Sequence, residues 1–255
     1  GRPAKQKKDT NTDGRHDTLI FFNSRGNIRE MREDTNHNGH QDRIVFMAGG
    51  EVQQEKLDSD HDQFFETQIT FDQGTRKQMT KDTTKNGKPD TIIDYNTQGE
   101  RVTLSTDSNA DQAMDTWQYY AKGLLVRMEK DKNGDGQVDL KVEYADGEKN
   151  RLLRDQNGDG HFETVQLYRV QDWDLVIEQD RDGNDHPEAR LMYAEGRLRQ
   201  KEIYDPQGDI QLIEYFDAQG DLCRSRERED QGLSLTWIYN KQGQAVQARR
   251  DKDLD

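Results

Sequence analysis

Eight acidic stretches hold the side chains with the plainest capacity for chemistry. The clearest are Asp131-Lys132-Asn133-Gly134-Asp135-Gly136-Gln137-Val138-Asp139 and Asp155-Gln156-Asn157-Gly158-Asp159-Gly160-His161-Phe162-Glu163. The rule is Asp at position 1, Asp or Asn at 3 and 5, usually Gly at 6, and Asp or Glu at 9. The other copies supply Asp9, Asn11, Asp13 and Asp17; Asp34, Asn36, Asn38 and Asp42; Asp58, Asp60, Asp62 and Glu66. Further along come Asp82, Asn86 and Asp90; Asp107, Asn109, Asp111 and Asp115; and Asp180, Asp182, Asn184 and Glu188. Hard oxygen donors at alternate positions of a tightly wound loop suit calcium, which takes roughly six to eight oxygen ligands. Positions 1, 3, 5 and 9 would give side chains and position 7 its carbonyl. The expected cofactor is therefore Ca2+, up to about eight ions.

An EF-hand shares the first half of this pattern but closes with a Glu at position 12 between two helices. Position 12 here holds Ile20, Val45, Ile69, Ile93, Gln118, Val142 and Gln166, so the EF-hand reading fails. The nine-residue loop resembles those of integrin-type FG-GAP repeats, which implies calcium held between β-strands. The remainder of each unit, as in Tyr204-Asp205-Pro206-Gln207-Gly208-Asp209, resembles the YD (RHS-type) repeats of bacterial surface proteins and toxins.

The copies differ. Asp58, Asp60, Asp62 and Glu66 make a four-carboxylate loop, expected to bind best on charge, although Gln63 stands where the bend glycine belongs. The loops from Asp34 and Asp82 have two carboxylates each and Thr84 is a poor ligand, so these rank lowest. Gln112 and Asp185 also replace the glycine. Asp205 to Asp209 and Asp230-Gln231-Gly232 read as plain turns, while Asp251, Asp253 and Asp255 restart the pattern at the end. All six histidines fall within these loops, none at position 1, 3, 5 or 9, and His40, His161 and His186, at position 7, would ligate through the carbonyl with the side chain expected to face solvent.

The elements that must position these loops show in two columns. An aromatic or Met column recurs about every 24 residues at Phe22, Met47, Phe71, Tyr95, Tyr120, Tyr144, Tyr168, Tyr193, Phe216 and Tyr239. A glycine follows about four residues later, as at Gly26, Gly74, Gly99, Gly123 and Gly147, where a tight hairpin turn or its bulge needs positive φ. Flanking residues alternate, as in Ile69/Phe71 and Val142/Tyr144, the mark of half-buried strands. Each unit is thus a strand, a glycine turn, a strand and an acidic loop. The expected fold is all-β: ten hairpins in an antiparallel meander, elongated or spiralling, with acidic loops on one edge and glycine turns on the other. A five-bladed propeller is the alternative. Residues 1–8 read as a polar tether and 9–255 as one repeat domain.

Composition agrees with this frame. Only 30% of residues are apolar and 35% are charged, with a mean hydropathy of -1.25, too polar for an ordinary core to offset chain entropy. The net charge of -14 excludes a nucleic-acid face and favours cations. Eight divalent ions would more than neutralise it, and metal binding would then act as folding energy. Cys223 alone excludes an internal disulfide or a cysteine zinc site. No apolar run reaches the roughly 18 residues of a membrane span. The polar start suits a mature secreted protein or lipoprotein, or a trimmed chain.

No nucleophile elbow, zinc-protease motif or phosphate loop occurs, so no enzyme is expected. The function expected is an extracytoplasmic calcium-rigidified scaffold or adhesion module, with a protein or glycan partner at the cell surface. A calcium-dependent, lectin-like propeller is the alternative. Trp173, in the irregular turn Gln171-Asp172-Trp173-Asp174, is the one aromatic singled out as a candidate binding-surface marker.

Overall fold

A computed structural model describes residues 4–229 and 234–251. Among these the chain is all-β: twenty-one antiparallel strands and no helix. Its contacts gather into two compact units, Gly1–Val126 and Arg127–Asp255. Asp230-Gln231-Gly232, Asp253, Asp255 and Gly1 to Pro3 lie outside the described residues.

The first unit contains β1 (Lys5–Lys8), β2 (Thr18–Phe22), β3 (Ile28–Glu33), β4 (Arg43–Ala48), β5 (Glu51–Leu57), β6 (Thr67–Asp72), β7 (Thr75–Lys81), β8 (Thr91–Tyr95), β9 (Arg101–Thr106) and β10 (Thr116–Ala121). After β11 (Leu124–Lys130), which crosses the boundary, come β12 (Leu140–Ala145), β13 (Glu148–Arg154), β14 (Thr164–Val170), β15 (Trp173–Gln179) and β16 (Ala189–Ala194). The second unit closes with β17 (Arg197–Tyr204), β18 (Ile210–Phe216), β19 (Leu222–Arg228), β20 (Ser234–Tyr239) and β21 (Ala245–Asp251).

Within each unit every strand pairs with its neighbour in sequence, from β1–β2 to β9–β10 and from β12–β13 to β20–β21. The ladder runs on without breaking into sheets of four. Neither unit therefore forms the separate blades that a propeller requires. Because consecutive strands reverse direction, the long acidic loops fall on one edge of each unit and the short turns on the other.

Lys5 to Lys8, expected as part of a tether, instead form β1 and pair with Phe21 to Thr18. The exposed partner edge of β2 offers free amides and carbonyls, and four polar residues can use them without needing a core. Lys5 also places its ammonium 4.8 Å from the Phe21 ring centre.

The short turns come in two kinds. Lys122-Gly123, Asp146-Gly147 and Glu195-Gly196 have positive φ at both central residues, the two-residue turn that matches strand twist. In the longer kind, the Gly99 amide donates to the Asn96 carbonyl at 2.9 Å and Gly99 has φ 79. The aromatic column marks a bulge. Register slips between Phe21 and Phe22, between Thr70 and Phe71, between Glu143 and Tyr144, and at matching sites in most other hairpins. The β14–β15 hairpin lacks this slip and carries positive φ at Arg169 and Gln171 instead. Trp173 opens β15 there, half-buried, lining a cleft of about 440 Å³ with Leu167, Val176 and Met192.

The core is thin. Ile20, Val45 and Ile69 are buried in the first unit, on one face of a row that runs through Met31, Glu55 and Met79. Val142 and Leu152, directly opposed across β12 and β13, continue the pattern in the second unit. Ile20, Val45, Ile69 and Val142 each hold the twelfth position of their loop motif, so in these four repeats a buried strand residue anchors the loop that precedes it.

Candidate metal loops

All eight loops wind the same way. Position 1 accepts two backbone amides through its carboxylate. In the loop from Asp131, Oδ1 accepts from Gly134 at 2.7 Å and Oδ2 from Gly136 at 2.9 Å. Asp9, Asp107 and Asp155 do likewise, while Asp58 accepts from the amides of positions 5 and 6, Asp62 and Gln63. Position 3 caps position 5 and position 5 caps position 7, as Asn157 accepts from Asp159 and Asp159 from His161. Position 9 folds back onto position 2: Asp17 accepts from the Thr10 amide and hydroxyl, each at 2.7 Å, and Glu163 from the Gln156 amide at 2.8 Å. Such a winding needs left-handed backbone twice. Position 4 has φ near 60 even where it is His37, His61, Lys85 or Ala110. Position 6 has φ 77 at Gln63, 76 at Gln112 and 67 at Asp185, so the loops lacking the bend glycine keep its conformation under strain.

Burial divides the ligand set. Positions 1 and 9 point inward: Asp34, Asp58, Asp131 and Asp155, with Asp17, Asp42, Asp115, Asp139 and Glu163, are all buried. Positions 3 and 5 lie on the exposed rim. A buried carboxylate is costly unless hydrogen-bonded or paired, and the amide bonds account for the ordering of these side chains. Similar bonds hold several loop carboxylates, buried or not, in the ionised form. Asp17 is lowered to about 2 by the Thr10 hydroxyl and amide, with His37 adding to this against the opposing effect of burial. Asp159 is lowered by the His161 amide and the Asn157 side chain. For Asp90 burial works upward, but the Thr83 hydroxyl and amide and the Thr84 amide outweigh it.

Three loops bring three carboxylates together, each group offering oxygens all within 4.8 Å of one another: Asp58, Asp60 and Asp62; Asp155, Asp159 and Glu163; Asp180, Asp182 and Glu188. These fit a hard divalent cation in donor chemistry and spacing. In the four-carboxylate loop, Glu66 stays outside the group and accepts from the Ser59 amide at 3.1 Å. Asn in place of Asp at positions 3 or 5 thins the charge in the loops from Asp34 and Asp82, where no such group forms among the described residues.

Contacts from one loop to the next were not legible in the motif. His37 Nδ1 lies 3.3 Å from Asp17, His61 Nδ1 3.7 Å from Asp42, and Lys85 Nζ 3.2 Å from Asp60. His161, expected to face solvent, instead approaches the Asp180 carbonyl at 3.2 Å and its carboxylate at 3.5 Å. Strand pairing stacks successive loops, so a residue at position 4 or 7 meets its neighbour's ligands. Aligning position 4 across the repeats, Thr12, His37, His61, Lys85, Ala110, Gly134, Gly158 and Gly183, would have exposed the signal. Cys223 occupies a bulge, its thiol donating to the Tyr215 carbonyl at 3.2 Å.

No protein-family model and no curated protein matches the chain. Among solved structures it matches a porin-like protein from Bacteroides uniformis at 12% identity, covering 96% of this chain and 93% of that one, with a TM-score of 0.16. A score that low carries no argument about fold or function. No helix among the described residues is long and apolar enough to cross a membrane.

Proposed function

We propose that this chain is an extracytoplasmic repeat scaffold whose hairpins are stiffened by calcium held in the acidic loops. The observation that carries the reading is the grouping of Asp155, Asp159 and Glu163 within 4.8 Å, two of them buried. Three like charges so close repel one another, and a divalent cation converts that repulsion into a crosslink between two strands. The thin apolar core supports the same conclusion, since it leaves much of the ordering to the loops. Calcium in this role is structural, and no catalytic residue is assigned. Loops with mixed Asp and Asn ligands suit the millimolar calcium found outside cells, where modest sites still fill. A regular array with a repeating face would serve adhesion to a surface protein or glycan.

The test is a calcium titration of chelator-treated protein, followed by circular dichroism and small-angle scattering. Gain of strand signal, compaction and a higher melting temperature over micromolar to millimolar calcium are the expected results. A chelated protein that is already folded and melts identically with calcium would overturn the proposal.

A further inference from the structure

Among the three loops that group three carboxylates, one already has a cation of its own. Lys85 stands at position 4 of the loop that begins at Asp82, one repeat beyond the loop from Asp58. Its ammonium lies 3.2 Å from Asp60 Oδ2 and is hydrogen-bonded to Asp62 Oδ2. Those residues hold positions 3 and 5 of the preceding loop, and with Asp58 they form the group within 4.8 Å. The second unit repeats the geometry with the side chain missing. A Cβ built on Gly158, position 4 of its loop, would sit 3.1 Å from Asn133 Nδ2 and 3.8 Å from Asp135 Oδ2. Asn133 and Asp135 again hold positions 3 and 5 of the preceding loop. His37 and His61 approach the position 9 carboxylates of their preceding loops, Asp17 and Asp42, from the same place. Position 4 of these four loops, at His37, His61, Lys85 and Gly158, therefore looks into the loop before it.

We infer that position 4 decides whether the preceding loop takes a metal, and that Lys85 acts as a built-in counter-cation for the loop from Asp58. The inference rests on the calcium reading above. By carboxylate count that loop should bind most tightly, yet calcium must first displace a tethered ammonium from two of its ligands. Its order is thus maintained without metal, while the loop from Asp131, facing Gly158, stays open. A small residue at position 4 releases the site, and a lysine closes it.

The experiment compares calcium binding by isothermal titration calorimetry in the full chain, Lys85→Ala and Gly158→Lys. Both backbones have precedents here, since Ala110 occupies position 4 at φ 62 and Lys85 at φ 59. Lys85→Ala is expected to bind one more calcium per chain, or to bind at that loop up to about fivefold tighter, the scale of one lost exposed ion pair. Gly158→Lys is expected to lose one. Circular dichroism of each variant in EDTA checks that it is folded. If the parent chain binds calcium and Lys85→Ala changes neither number nor affinity, the Lys85 assignment is wrong and the calcium reading survives. If neither protein takes up calcium, both fall.

Discussion

Glu163→Gln should change stability in opposite directions with and without calcium. Glu163 is buried and its Oε2 accepts the Gln156 amide at 2.8 Å. A glutamine oxygen can keep that bond, so the substitution removes charge while preserving shape. Without metal, Glu163 repels Asp155 and Asp159 across at most 4.8 Å, about 3.5 kcal/mol per pair at an effective dielectric of about 20 and about 0.9 kcal/mol in water. Asp159 sits on the exposed rim, so the water limit is the better guide; the unfolded loop keeps part of this two-pair repulsion, and relief of about 1 kcal/mol is expected in chelator. With calcium at about a hundred times its dissociation constant, a filled site adds about 2.7 kcal/mol. A charged ligand lost at about tenfold to a hundredfold in affinity then removes about 1–2 kcal/mol. Urea denaturation followed by circular dichroism, run in EDTA and in calcium, measures both arms. The midpoint should rise in the first and fall in the second. A shift of the same sign and size in both would show that this loop holds no metal, and the electrostatic reasoning would be refuted.

Other consequences follow from the backbone and the core. Gln63→Gly and Gln112→Gly should each stabilise by about 0.5–1 kcal/mol, because relief of left-handed strain exceeds the added chain entropy. Gly160→Ala, at φ +88 with its Cβ 2.7 Å from Gln137 Oε1, should destabilise by about 1–2 kcal/mol; thermal melts in EDTA compare the three. Val142→Ala empties a side chain that is 2% exposed and should cost about 1–3 kcal/mol in urea denaturation, with or without calcium. Asp217 is lowered below the ordinary carboxylate range by the Asp221 amide, against burial, with the Gln219 and Gly220 amides adding to it. A depressed folded value means that its contribution is present above about pH 4 and lost as pH falls through the folded value. Asp217→Asn, which copies Asn96 in an equivalent turn, should keep the fold at neutral pH and flatten the acid melting that sets in below about pH 4. An unchanged acid profile would refute that assignment.

Much of this architecture was open to a reader of the chain alone. The aromatic column at intervals of about 24 residues and period-two alternation dictate strands and their order, because a side chain that must be buried every second residue admits no other local structure. Glycine at Gly123 or Gly147 announces a turn for an equally local reason, namely positive φ. The ligand rule of the acidic loops is local too, and the structure winds every copy alike, even where Gln63, Gln112 and Asp185 stand in for glycine.

What the sequence left open depends on neighbours distant along the chain. Residues 5–8 look like a tether because four polar residues carry no periodic signal, yet the free edge of β2 recruits them. Open ladder or closed blades is a question of which strands pair, and the pairing of every β-strand with its successor within each unit answers it. Lys85 reads as one lysine among many until strand pairing stacks its loop on the one before and brings its ammonium to Asp60 and Asp62. Side-chain type and spacing determined which residues could hold a cation. Only the register between repeats decided which of those sites a neighbouring side chain reaches first, because electrostatic contact falls off over a few ångströms that sequence distance does not record.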